Sequence, residues 1–220
     1  MIFKNIKGKM KEKVREIEKK IKYAVGRVGA LLLTILISPI LLIISLCIVL
    51  DSPGAVIFKQ KRLGYRGKEF DIYKFRTMVT NAEKIGDGLV IRSENDNRIT
   101  RVGRVLRKMS LDELPQFFNI IKGEMCFVGP RPPVTYHPYD GYENYSDEAK
   151  KRFEIKPGIT GLAQVKLRNA GTWDERIAID VQYVENYSWW LDIKIIFMTA
   201  FSMFNKEEYT SNKKRGKSNI

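Results

Sequence analysis

Asp112 and Glu113 stand side by side in a stretch that runs Ser110, Leu111, Asp112, Glu113, Leu114, Pro115, Gln116. On a helix, neighbours point about 100° apart. The two carboxylates therefore do not face each other across a sugar, as glycosidase acids do. Both can flank one site at a helix start, where free N–H groups and the helix dipole favour anions, phosphates among them. The same field would keep Asp112 ionised. An ionised aspartate can attack phosphorus and form an acyl phosphate, dividing one displacement into two. Two anions then have to meet, which calls for Mg²⁺ or arginines. The pair also reads as a capping box, Ser110 with Glu113 three residues on, and Asp112 as a first-turn acid. Spacing alone favours that structural role. Pro115 complicates either reading, because it removes a backbone bond early in the helix.

Arg107 and Arg131 are the best phosphate candidates, since the planar guanidinium fork matches phosphate oxygens. Arg131 is fixed between prolines, which lowers the entropy cost of holding it. Taken alone, each arginine reads as a surface charge. The chain of 220 residues has one histidine and two cysteines. Cys47 and Cys126 are too few for a disulfide scaffold or a cysteine zinc site. His137 has no obvious triad partner and, being alone, excludes a multi-histidine metal site. Cys126, in an apolar stretch, reads as core. Chemistry is thus left to carboxylates, arginines and lysines.

The elements that must position these groups begin with an anchor. The net charge is +14, yet 28–50 carries no charge at all. At about 1.5 Å per residue a straight helix of that length would be roughly 35 Å, enough to span a bilayer. Ser38 and Pro39 sit near its middle. Proline removes a helix bond, and Ser38 can bond back to the backbone and support a bend. Lys4, Lys7, Lys9, Lys11, Lys13, Lys19, Lys20 and Lys22 precede the segment, and Lys59, Lys61, Arg62, Arg66 and Lys68 follow it. Basic flanks prefer the cytoplasmic side, so both ends want the same side. A helix that enters, bends at Ser38-Pro39 and leaves on the same face satisfies both; an ordinary span with a tolerated proline is the alternative. The lysines of 1–22 would attract anionic headgroups.

After Asp51 the pattern reads as short strands at 56–58 and 70–75, with a basic glycine-bearing loop between them. A polar exposed loop at 80–98 and helices at 100–109 and 111–121 come next, with Gly123 ending the second. A strand at 125–128 and a rigid turn at 129–133 are followed by a helix at 146–155. The chain then runs through a turn at 156–158 into 159–165, a helix at 172–186 and an apolar helix at 189–204. Trp189, Trp190, Phe197, Phe201 and Phe204 would either pack in the core or lie at a membrane interface.

Taken in order, these residues carry a resemblance. The chain resembles the bacterial monotopic phosphoglycosyl transferases, or sugar transferases, from about Tyr23 to Phe204. The motifs are Ser38-Pro39, Gln60-x-Arg62-x-Gly64, the run Tyr73-Lys74-Phe75-Arg76-Thr77-Met78, and Leu111 to Gln116. Val128 to Pro132, Lys156 to Gly161, and Arg168-Asn169 before Trp173 complete the set. The resemblance implies an α+β protein: a membrane re-entrant helix-break-helix plus a small α/β catalytic domain with amphipathic interfacial helices. The segments would be a basic 1–22, a membrane helix over 23–50, a cytoplasmic catalytic domain over 51–205 and a disordered basic tail over 206–220.

It implies transfer of a phosphosugar from a UDP-sugar to polyprenyl phosphate with release of UMP. The reaction would take place on the cytoplasmic face of the bacterial inner membrane, starting a surface glycan. Asp112 would be the nucleophile and a ligand of the required Mg²⁺. Glu113 would assist as base or by ordering the site. Arg107, Arg131, Lys74, Arg76 and Asp180 would bind phosphate or substrate. Partners would be the UDP-sugar, polyprenyl phosphate and membrane lipids. Many relatives carry further membrane helices or domains, and this chain matches the minimal catalytic form. Two other readings stay open: a membrane glycosyltransferase releasing UDP, and a basic membrane adaptor. A pI near 9.7 also raises nucleic-acid binding, which the apolar anchor and the lack of a recognition motif make improbable.

Overall fold

A computed structural model describes residues 2–82, 85, 96–168 and 170–204. The expected tail at 206–220, Asn169 and most of the expected loop at 80–98 lie outside them. The chain is α+β and divides into two compact units, residues 1–62 with 69–126 and residues 63–68 with 127–220.

The first unit is organised by one helix, α1 (Ile2–Asp51), with Pro39 inside it. Helical backbone continues through the expected break point at Ser38 and Pro39. The reason is local. Proline at position 39 deprives the Ile35 carbonyl of its amide donor, and Ser38 Oγ donates to that same carbonyl at 2.8 Å. The other hydroxyls of the segment are satisfied likewise, Thr34 on Ala30 O and Ser45 on Leu41 O, each at 2.7 Å. Among the described residues, 13–51 is the one stretch long and apolar enough to cross a membrane. Its buried positions fall in two sets at spacing four, Lys22, Gly26 and Ala30, then Ile44 and Ile48. Between them, 31–43 holds no buried residue.

Strands β1 (Ile57–Leu63) and β2 (Glu69–Phe75) pair. Phe70, Ile72 and Phe75 of β2 turn inward. Helix α2 (Arg101–Met109) is capped by Thr100. The second expected helix is not continuous. Leu111–Glu113 forms a 3₁₀ turn, and α3 (Gln116–Lys122) starts after Pro115. Proline cannot donate into a continued helix. Gly123 ends α3 at φ 86°, a left-handed value that suits glycine. Asn119, wholly buried, pins α3 to the strand: its Nδ2 donates to Asp71 O at 2.7 Å and its Oδ1 accepts from Tyr73 N at 3.0 Å. Arg27 Nε of α1 donates to Ile121 O at 2.9 Å, closing the C-terminal end of α3. Ile44, Ile48, Phe75 and Leu106 form the core, with Leu111 and Leu114 packed on it.

In the second unit, β3 (Cys126–Val128) pairs with β4 (Gly158–Thr160). The expected helix at 146–155 is shorter, α4 (Asp147–Lys150) followed by a 3₁₀ turn, with Ser146 as its cap. Helices α5 (Leu162–Leu167), α6 (Trp173–Glu185) and α7 (Trp189–Phe204) follow. Leu63, Tyr145, Ala149, Phe153, Ile177 and Val181 make the core. Of the α7 aromatics, Trp190 (80%), Phe197 (71%) and Phe201 (68%) are exposed, while Ile195 on the same helix is wholly buried. The described aromatics therefore lie outside the core.

Candidate active site

The dyad sits where α2 hands over to α3. Ser110 is not an N-cap. It adopts φ 57°, closes α2 as its C-cap and makes no side-chain cap bond. The left-handed residue reverses the chain, so Asp112 and Glu113 project from a single 3₁₀ turn. Because Asn119 fixes α3 against β2, Lys74 of that strand meets Glu113, Nζ to Oε1 at 2.7 Å. Arg107, in the last turn of α2, donates from Nε to Thr77 Oγ1 at 2.7 Å. Burial pushes the Asp112 carboxyl above its usual value of 3.8. The positive charges of Lys74 and Arg107 oppose that shift, and the negative charge of Glu113 reinforces it. The net shift is upward because partial desolvation of the turn outweighs the nearby positive charges. Burial also lowers Arg107, with Asp112 the leading opposing charge.

Arg76 has a different task from the expected phosphate contact. Its Nη2 donates to Ser52 O at 2.6 Å, and its Nη1 donates to Pro53 O at 2.8 Å and Ser52 Oγ at 3.1 Å. A buried cation on the carbonyls just beyond the last residue of α1 stands at the negative end of that helix's dipole.

Gly103 lets α2 approach the strand end. A Cβ there would stand 2.1 Å from Thr77 O. Gly103→Ala is expected to lower stability by about 1–3 kcal/mol from overpacking, more than the helix-propensity gain of about 1 kcal/mol. Thermal melting of the purified variant checks it.

The second unit holds Arg131 and Asp180. Asp180 is buried on α6 and ion-paired to Arg152, a residue that sequence reasoning missed, at 2.6 Å. Arg152 Nη2 also donates to Arg131 O at 3.0 Å. Pro130, Pro132 and Pro133 around Arg131 have no N–H of their own; Pro130 O accepts from Gly158 N and Pro133 O from Leu63 N, both at 3.0 Å. The two glycine motifs serve this platform. A Cβ on Gly158 would come within 2.1 Å of Gly129 N, and one on Gly161 within 2.2 Å of Gly129 O. The one hint of Arg152 in the sequence is its place beside Phe153, between a cap and a core aromatic; it otherwise reads as a solvated charge.

A family model described as bacterial sugar transferase matches residues 17–206. The chain belongs to that family. Among curated relatives, the UDP-glucose:undecaprenyl-phosphate glucose-1-phosphate transferase of Caulobacter vibrioides is 42% identical over 185 residues, 82% of this chain and 68% of that protein. The identically named protein of Escherichia coli is 41% identical over 200 residues, 88% of this chain and 42% of its own length. The undecaprenyl-phosphate galactose phosphotransferase of Salmonella typhimurium is 41% identical over 186 residues, 79% of this chain and 38% of that protein. The chain thus spans less than half of the latter two sugar transferases.

Among the described residues of this sugar transferase, no group of three or more His, Cys, Asp or Glu stands together. Two neighbouring carboxylates, one already paired to Lys74, are a hard-oxygen donor set. Such a set suits Mg²⁺ held by one or two carboxylates together with substrate phosphates and water.

Proposed function

We propose that the chain transfers a phosphosugar from a UDP-sugar to polyprenyl phosphate through a covalent intermediate on Asp112. The observation that carries this reading is the turn itself. One half-buried aspartate faces the charges of Lys74 and Arg107, and its acidic neighbour is already ion-paired at 2.7 Å. In the first step an Asp112 oxygen attacks the phosphorus that bears the sugar. The bridging P–O bond breaks and UMP leaves. In the second, a phosphate oxygen of polyprenyl phosphate attacks the same phosphorus, the acyl-phosphate bond breaks and Asp112 is restored as carboxylate. The product is a polyprenyl diphosphate sugar, the first unit of a surface glycan. Arg107 stabilises charge on the transferring group. Glu113 holds Lys74 beside it, and Arg131 is a further phosphate ligand in the second unit. Asp112 would hold Mg²⁺, which would supply charge neutralisation between the anionic nucleophile and the diphosphate.

The topology we propose is monotopic and re-entrant, with the catalytic units on the cytoplasmic face and α7 in the interface. Both buried sets of α1 support it. Lys22, Gly26 and Ala30 lie before Ser38-Pro39 and Ile44 and Ile48 after it, and both belong to the same compact unit. A straight span would place the two sets on opposite sides of the bilayer. The unburied stretch between them, 31–43, would extend only about 20 Å as a helix, short of a hydrocarbon core of about 30 Å. Pro39→Ala restores the amide donor to Ile35 O and favours a straight helix. Cysteine labels placed before Lys22 and after Lys59 are expected to react from one side in the parent chain and from opposite sides in the variant.

The deciding experiment supplies purified chain in lipid with Mg²⁺, polyprenyl phosphate and a panel of UDP-sugars. Lipid-dependent UMP from one donor is the expected result; UDP in its place would overturn the reading.

A further inference from the structure

Helix α2 has two N-terminal caps. Thr100 provides the local one: its Oγ1 accepts from Gly103 N at 3.0 Å, and its carbonyl accepts from Arg104 N at 3.0 Å. That arrangement serves the orphan donors of a short helix on its own. The second cap comes from a residue 51 positions away in sequence, Asp51, whose Oδ2 accepts from Val102 N at 2.9 Å. Asp51 is the last residue of α1. A cap that the helix does not require in order to form fixes where the helix lies.

The surrounding contacts make this junction rigid. Arg76 holds the carbonyls of Ser52 and Pro53 just beyond Asp51. Next to Arg76, Thr77 O accepts from Thr100 N at 3.1 Å, and Gly103 presses on the same carbonyl. One turn further along α2, Arg107 reaches Thr77 Oγ1. Leu106 packs with Ile44 and Ile48 of α1, and Leu111 and Leu114, which bracket the dyad, pack on the same cluster. The end of the membrane helix therefore grips α2 by a charged cap and by apolar contact. The far end of α2 carries Arg107 and leads into Asp112.

We propose that Asp51 is a positioning residue for phosphosugar transfer. By holding the Val102 amide it sets α2 against the end of the membrane helix, and so sets where Arg107 and the Asp112–Glu113 turn stand. The inference rests on the transfer reading given above. It makes α1 part of the scaffold of the active site as well as an anchor.

The test uses the full chain in lipid vesicles. The Asp112 adduct is followed in a single turnover with UDP-sugar and Mg²⁺, without acceptor lipid. Asp51→Ala removes the acceptor, and Asp51→Asn keeps an oxygen in its place. The alanine variant is expected to form adduct about 10²-fold more slowly at saturating donor, the scale of a small misplacement of reacting groups, with half-saturation by the donor unchanged. The asparagine variant should stay within about threefold of the parent, since a neutral oxygen still accepts the bond. Val102→Pro removes the donor at a first-turn position that tolerates proline, and should match alanine. Amide exchange gives a readout independent of turnover: protection of Arg101–Met109 should fall in Asp51→Ala and not in Asp51→Asn. Parent-like rate and protection in the alanine variant would overturn the proposal. So would an asparagine variant as slow as alanine, or a loss of protection spread over the whole first unit. If the parent chain forms no adduct with any donor, the transfer reading fails, and the exchange data still decide whether Asp51 positions α2.

Discussion

Asp112→Asn is expected to abolish phosphosugar transfer while leaving the protein folded. Removal of a nucleophile that acts in concert with its surroundings lowers turnover by about 10⁴-fold or more. A chain incubated with UDP-sugar and no acceptor should gain the mass of one phosphosugar, released by hydroxylamine as an acyl phosphate would be. The asparagine variant should gain none. A variant that still turns over would end the nucleophile assignment. The fold should survive because burial works against the charge at this position. The Asp112 carboxyl is raised above 3.8 by desolvation, so the folded chain holds its proton more tightly than the unfolded one. The stability linked to this group is complete below 3.8 and is lost as pH rises through the raised value. At neutral pH the ionised aspartate is therefore a destabilising group, and asparagine should melt no lower than the parent.

The same shift sets the acid limit of the reaction. In the proposed reaction only the carboxylate attacks, and the ionised fraction falls as pH drops through the raised value. Adduct formation should thus fail at a higher pH than an ordinary aspartate would allow, the more so at low Mg²⁺, since a cation bound at Asp112 offsets the burial. Lys74 is the largest charge pulling the value down. Lys74→Met should move the acid limb higher still and remove the ion pair with Glu113. Stopped single turnovers across pH give both limbs; an acid limb at 3.8 in the parent would contradict the burial argument.

Much of this arrangement was legible in the residues. The bounds of α2 and α7, the second strand of the first unit and the helix end at Gly123 follow from caps, periodicity and glycine, which are local signals, whereas β1 runs on to Leu63 through residues that read as a basic loop. One error came from a local pattern read in the wrong register of the fold. Ser110 and Glu113 have capping-box spacing, yet the capping box in this chain is formed by Thr172 and Glu175. Ser110 sits at the end of α2, where the left-handed turn satisfies that helix's last carbonyls, and Pro115 prevents a new helix from starting behind it. Residues whose partners are far away in sequence were not legible. Arg76 lies within the motif run expected to bind substrate, and its carbonyl partners, 23 and 24 residues earlier, cannot be inferred from spacing. Arg152 is invisible for the same reason, because its counter-ion lies 28 residues on. The dyad itself was legible as chemistry, whereas the pairing of Glu113 with Lys74 needed Asn119 to bring a helix and a strand together.

That distant ion pair should have the second large effect. Asp180 and Arg152 are both almost wholly inside the second unit. Asp180→Ala leaves a guanidinium buried without its counter-charge, and breaking a buried pair from one side costs about 3–5 kcal/mol. Against a total of about 5–15 kcal/mol for a domain, the variant should melt many degrees lower or fail to accumulate. Replacing both partners, Arg152→Met with Asp180→Leu, should recover most of that loss, because desolvation of the two ions is removed together with their attraction. The double variant separates packing from positioning. Its fold should return, yet the Arg131 carbonyl loses the Arg152 donor that holds it at 3.0 Å, and transfer should remain depressed with a raised requirement for donor. Urea melts of Arg152→Met, Asp180→Leu and the double variant give the coupling energy, and donor titrations give the rest. Full recovery of both stability and donor affinity in the double variant would mean that the pair serves only the core. Recovery of stability alone is the expected result, because Pro130, Pro132 and Pro133 have no amide donor, and the side chain of Arg152 supplies one to the Arg131 carbonyl from outside.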